Sequence, residues 1–210
     1  MPSERFFRLP KAKADTIRNA AIQEFKRVTP EEASINKIIQ SAEISRGSFY
    51  TYFEDKHDLL RWLLGDFVAS YQQFYITELK VREGDLWAVF DAVLDHTIQW
   101  VADQGLVEIV GNMMKGNYFS EHFQEASSAG DKMETAVMEH IQTLYELVDE
   151  QVCKLELEAF EGLMQLHVAA LILALKTYFT NAEEPEKIKT SYQRKMRLLC
   201  FGAYPRRTEE

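Results

Sequence analysis

Apolar residues recur along this chain at spacings of three and four, and strict alternation is almost absent. That period predicts helices nearly throughout. Ala14, Ile17, Ala20, Ala21, Phe25 and Val28 share one face of a first helix that Pro10 can open and Thr29-Pro30 must close. Ser34 caps a second helix with Ile35, Ile38, Ile39 and Ala42 inside. Ser45 caps a third, which buries Phe49 and Phe53. Asp55 caps a fourth, with Asp58 placed to reach back as in a capping box. Leu59, Leu60, Leu63, Leu64 and Phe67 carry that helix on to about Lys80.

Gly84-Asp85 breaks the pattern, and a helix over about 86–102 follows with apolar residues around most of its circumference. Such a helix is surrounded by others. After Gln104-Gly105 a short helix runs through Met113 and Met114, and residues 116–130 read as a mobile connection. Further helices are expected over about 131–152 and 157–180, then a turn at Asn181 to Pro185, then a last helix to about Phe201. Pro205-Arg206-Arg207 reads as a frayed tail, and no repeat is present.

The 210 residues carry a net charge of −9. Residues 1–62 hold 11 Lys and Arg against 9 Asp and Glu, a net +2; the remainder holds 13 against 24, a net −11. The acidity therefore belongs to the C-terminal part and does not argue against nucleic acid, since a small DNA-binding head needs only local positive charge. The charged N-terminus lacks a signal-like apolar core, and the longest apolar run, Val168 to Leu175, is too short to span a bilayer. A soluble cytoplasmic protein without a membrane role is expected. Cys153 and Cys200 sit in amphipathic stretches and read as small buried apolar residues rather than a redox pair.

Two short helices joined by a tight turn build a core poorly but present one helix to a DNA groove well. With Phe49 and Phe53 inward, Arg46, Gly47, Ser48, Tyr50, Thr51 and Tyr52 are left mostly outward. Arg46 can fork onto guanine or phosphate, Gly47 lets the backbone approach, and the hydroxyls reach phosphates or base edges. Lys56 opens the fourth helix, where the dipole favours phosphate, and Ser34 and Lys37 hold the matching place on the second. With the capping Ser45 these residues form the candidate DNA face.

The run Ser34-Ile-Asn-Lys-Ile-Ile, then Ala42-Glu-Ile-Ser-Arg-Gly-Ser-Phe-Tyr-Thr-Tyr-Phe, Asp55-Lys56 and Leu59-Leu60 resembles the N-terminal head of the TetR-type transcriptional regulators. The resemblance covers about residues 10–62. It implies an all-α fold: a three-helix head with a helix-turn-helix at 1–62, plus a larger helical ligand-binding and dimerisation body at 63–210. It further implies a homodimer on a palindromic double-stranded DNA operator, acting as a repressor that a small molecule releases. The family often has Ala-Gly-Val in the turn where this chain has Ala42-Glu43-Ile44. Glu43 is at ease there if the turn stays right-handed and is modestly strained if it does not.

The body supplies aromatic and sulfur-bearing candidates for an apolar or aromatic ligand: Trp87, Phe90, Leu94, Trp100, Met113, Met114, Tyr118, Phe119, Phe123, Tyr145 and Met164. Singly, each reads as plain core. Asp91 and Asp95, one turn apart, could meet a cation but read better as a solvated edge. His96, His122, His140 and His167 are too spread for a metal motif, so no metal or cofactor is expected. Leu163, Leu166, Ala169, Ala170, Leu173 and Ala174 give a close-packing face, and about 157–201 is the expected dimer surface. No nucleophile elbow, zinc-protease or dinucleotide motif occurs, so an enzyme is not expected. The alternative is a regulator of this shape that has lost DNA and acts through a protein partner; the Arg46–Tyr52 face and Lys56 speak against it.

Overall fold

The computed structural model describes residues 2–116, 118, 132–151, 153–181 and 184–201. Every regular element among them is a helix: α1 Glu4–Phe7, α2 Lys11–Arg27, α3 Ile35–Ser41, α4 Arg46–Tyr52, α5 Lys56–Leu63, α6 Gly65–Val81, α7 Leu86–Asp103, α8 Val107–Lys115, α9 Lys132–Leu147, α10 Leu157–Thr180 and α11 Pro185–Phe201. The expected connection at 116–130 and the tail at 205–207 lie outside the described residues, Gly116 and Tyr118 excepted. The helices gather into two compact units, one of residues 1–70 with 101–124, the other of 71–100 with 125–210.

In the first unit, side-chain caps set the starts of three helices. Ser34 accepts from the Lys37 N–H, Ser45 from the Ser48 N–H at 2.9 Å, and Asp55 from the Asp58 N–H at 2.7 Å. Asp58 reaches back to the Glu54 N–H, one residue beyond the cap itself. Ile17, Ala21 and Phe25 of α2 close over Ile38, Phe49, Phe53, Leu59 and Leu60, all 0–1% exposed. Burying each of the larger side chains is worth roughly 1.5–3 kcal/mol. The fourth predicted helix is divided at Leu64 (φ −91°, ψ 0°), immediately before Gly65, whose backbone freedom weakens a helix at that point. α8 packs on α2: the Asn112 amide donates to the Phe25 and Lys26 carbonyls, 3.0 and 2.9 Å away, closing the C-terminal end of α2.

In the second unit, α10 packs against both α9 and α11. Gly84 lies in the left-handed region at φ +83°, and a Cβ there would collide with the Asp149 backbone. That contact lets the Asp149 N–H donate to the Gly84 carbonyl at 3.1 Å and ties the α6–α7 turn to the end of α9. By length and composition alone the 24-residue α10 would cross a membrane. Here Phe160, Leu163, Met164, His167, Leu171, Ala174 and Leu175 are buried within the unit.

Candidate nucleic-acid interface

α4 is seven residues long and buries Phe49 fully, with Phe53 just past its end. The rest of its surface is available for work. Arg46 is exposed, and its guanidinium donates to Asn36 Oδ1 at 2.7 Å and to the Tyr50 hydroxyl at 3.4 Å. It also lies 5.6 Å from the centre of the Tyr50 ring. Tyr50 is 48% exposed, a large aromatic surface left in solvent. Asn36 of α3 thus aims Arg46, a role that the sequence period did not reveal because it depends on contact between two helices.

The remaining expected residues fall as follows. Ser45 and Gly47 are exposed, while Ser48, Thr51 and Tyr52 are half-buried. The Ser45 and Ser48 hydroxyls pair at 2.9 Å, and the Thr51 hydroxyl donates back to the Gly47 carbonyl at 2.9 Å. Tyr52 turns partly inward, its ring edge-on to Phe6 at 6.0 Å. Ser34 is half-buried at the start of α3 and Lys37 is exposed one turn on. The Ser34 N–H donates to Glu24, whose carboxylate also takes both arms of Arg27 at 2.7 and 3.0 Å. That pairing with Arg27 holds the Glu24 carboxyl below the usual range.

Lys56 opens α5, and its side chain turns to the preceding α2–α3 connection. Its ammonium donates to the Glu31 and Ala33 carbonyls there. Three donors are available on an ammonium, so the group can brace the head while addressing an anion. The α3–α4 turn is decided as well: Glu43 sits at φ +51°, in the left-handed region. Lys13 donates to the Ala42 and Glu43 carbonyls at 3.3 and 3.2 Å and holds that turn.

The expected ligand residues divide between the units. Met113, Met114 and Tyr118 are buried in the first, Tyr118 stacked on His57 at 5.9 Å. Trp87, Phe90, Leu94, Trp100, Tyr145 and Met164 belong to the second, where Trp87 and Phe90 meet edge to face at 5.6 Å. Phe119 and Phe123 lie outside the described residues. Tyr145 and Phe160 line an open cleft of about 600 Å³ together with Cys153, Glu146, Glu150 and Glu156.

Sequence reading missed the polar chain at the centre of the second unit. His167 is 0% exposed and stacks flat on Phe90, 3.7 Å between ring centres. Tyr71 donates to the Tyr75 hydroxyl at 3.0 Å, and Tyr75 meets His167 Nδ1 at 3.1 Å. His167 Nε2 meets the Tyr192 hydroxyl at 2.8 Å, and Tyr192 donates to the Phe90 carbonyl at 2.9 Å. With the Tyr192 proton committed to that carbonyl, Nε2 carries the hydrogen and Nδ1 accepts from Tyr75. Burial lowers the His167 pKa to about 3 and keeps the ring neutral. Tyr75, Tyr192 and a histidine from distant helices gave no local signal.

A short, polar-faced helix held on a helix-turn-helix frame defines a DNA-binding transcriptional regulator. Residues 17–63 match the model of bacterial regulatory proteins of the tetR family, and residues 85–203 match the tetracyclin repressor-like C-terminal domain. The chain belongs to the TetR family. Its fold is similar to that of a TetR-family regulator from Syntrophomonas wolfei at TM-score 0.62 and 21% identity, over 92% of this chain and 97% of that one. A second regulator, from Streptomyces coelicolor, aligns at TM-score 0.52 and 19% identity, over 91% of this chain and 81% of its own.

Proposed function

We propose that this regulator acts as a cytoplasmic homodimer that represses transcription from a palindromic operator and leaves it when a small molecule enters the body. In this reading, residues 1–62 form the DNA-binding head and residues 63–210 the ligand-binding and dimerisation body. The pair made by Arg46 and Tyr50 carries the DNA assignment, because both are exposed and preoriented on a helix that contributes little to the core. Arg46 reads guanine or phosphate, and the Tyr50 ring presses on thymine methyls. Ser34, Lys37, Ser45, Gly47, Ser48, Thr51, Tyr52 and Lys56 complete the contact surface. The ligand is apolar or aromatic, in keeping with the aromatic content of the body. Binding to an inverted repeat in a gel shift, falling steeply with salt as counterions are released, tests the reading. Failure to prefer any duplex over a scrambled one would remove it.

A further inference from the structure

The C-terminal end of α4 is held by the beginning of the chain. The Ser3 N–H donates to the Tyr52 carbonyl at 2.9 Å, and the Ser3 hydroxyl donates to the Thr51 carbonyl at 2.7 Å. The last four carbonyls of a helix have no partner within it, and Ser3 satisfies two of them. Phe6, 3% exposed, is the anchor of α1. Its ring lies 4.8 Å from that of Phe53, 4.8 Å from Trp62 and 6.0 Å from Tyr52. The Phe6 N–H donates to the Ser3 carbonyl at 3.0 Å, so anchor and clamp are one turn of chain.

The other restraints on α4 lie towards its start and middle. Ser45 caps it, Asn36 of α3 accepts from Arg46, and Phe49 is its fully buried side chain, with Phe53 buried just past its end. Loosening the far end would let the helix pivot about Phe49 and swing Arg46 and Tyr50. A recognition set has to be held within about 0.5 Å to discriminate between partners.

We propose that Ser3 and Phe6 are positioning residues for DNA recognition. The N-terminal segment clamps the last turn of α4 and fixes the angle at which its outer face meets the groove. The inference rests on the assignment of α4 as the DNA-reading helix. It concerns specific binding, because non-specific affinity depends on phosphate charge and tolerates a helix that wobbles.

The test uses the full-length chain and a duplex selected by the wild-type protein from a random library. Affinity for that duplex and for a scrambled one of equal length is measured for wild type, Ser3→Ala, Ser3→Thr, Phe6→Ala and Phe6→Leu. Hydrogen exchange over residues 46–53 is followed in the same samples. Ser3→Ala and Phe6→Ala are expected to lower the ratio of specific to non-specific affinity about tenfold, a change of about 1.4 kcal/mol. Both are also expected to speed exchange over 46–53, while Ser3→Thr and Phe6→Leu restore most of each property. Ser3→Ala retains the Phe6 packing, so it decides the matter if Phe6→Ala fails to fold. An unchanged ratio overturns the proposal, even if exchange quickens, because the segment would then be merely structural. A wild-type chain that selects no duplex removes the DNA assignment and this inference together; its exchange data still show separately whether the clamp exists.

Discussion

Gly47 separates stability from recognition at a single residue. A Cβ built there meets nothing nearer than the Ser45 hydroxyl at 3.8 Å, so packing within the protein does not demand glycine. Glycine inside a helix costs about 1 kcal/mol relative to alanine. Gly47→Ala is therefore expected to stabilise the head by about 0.5–1 kcal/mol in urea unfolding while weakening DNA binding. Greater stability with undiminished binding would remove the idea that the backbone approaches the duplex there. Glu43 carries the opposite strain. At φ +51° it pays for a conformation that glycine adopts freely, and Glu43→Gly is expected to raise stability by about 0.5–1 kcal/mol. The sequence left this turn open, since handedness there depends on how α3 meets α4. Lys56→Ala should weaken DNA binding and also destabilise the head by about 1 kcal/mol, because its ammonium braces the Glu31 and Ala33 carbonyls.

Among the elements, α10 carries a fully buried histidine whose protonation ties stability to pH. His167 stays neutral in the fold with its pKa lowered to about 3, against 6.5 for an ordinary histidine. Between those values the unfolded chain binds a proton at this ring and the folded chain does not. Stability is thus lost as the pH falls from about 6.5 towards 3, and the penalty is absent above that window. Thermal melts across pH 4–7 should show a shallower fall for His167→Gln than for wild type; parallel curves would contradict the assignment. Tyr192→Phe should cost about 1–3 kcal/mol in the same measurement, since it leaves His167 Nε2 and the Phe90 carbonyl without their shared partner. Helices were legible where period and cap agreed, as at Ser34, Ser45 and Asp55, and where the period alone ran long enough, as along Leu157–Thr180. α1 was not, because four residues carry no period and its anchor is defined by Phe53 and Trp62. The candidate DNA face was legible as a set of residue types, but Asn36, Lys13 and Ser3 act through contacts between distant residues and left no local pattern.

For the whole molecule, the question is what covers α10 and α11. Leu166 and Leu173 on α10 remain 58% and 51% exposed, and Leu198 and Phe201 on α11 53% and 68%. Leu163 and Ala174, expected on the same surface, are buried within the chain instead. Exposed leucines at a helical spacing suit a partner helix pair. The wild type is therefore expected to run at twice 24.4 kDa by light scattering, and Leu173→Glu to give the 24.4 kDa monomer. A dimer that survives the change would place the subunit contact elsewhere. Two heads on such a dimer read half-sites about one helical turn, roughly 34–36 Å, apart. The most direct test of the account is selection of duplexes from a random library by the purified protein, with wild type and Tyr50→Ala in parallel. The expected result is an inverted repeat with half-site centres about 10 base pairs apart, enriched by wild type and lost or strongly weakened with Tyr50→Ala. Enrichment of no sequence, or of the same sequence equally by both proteins, would contradict it.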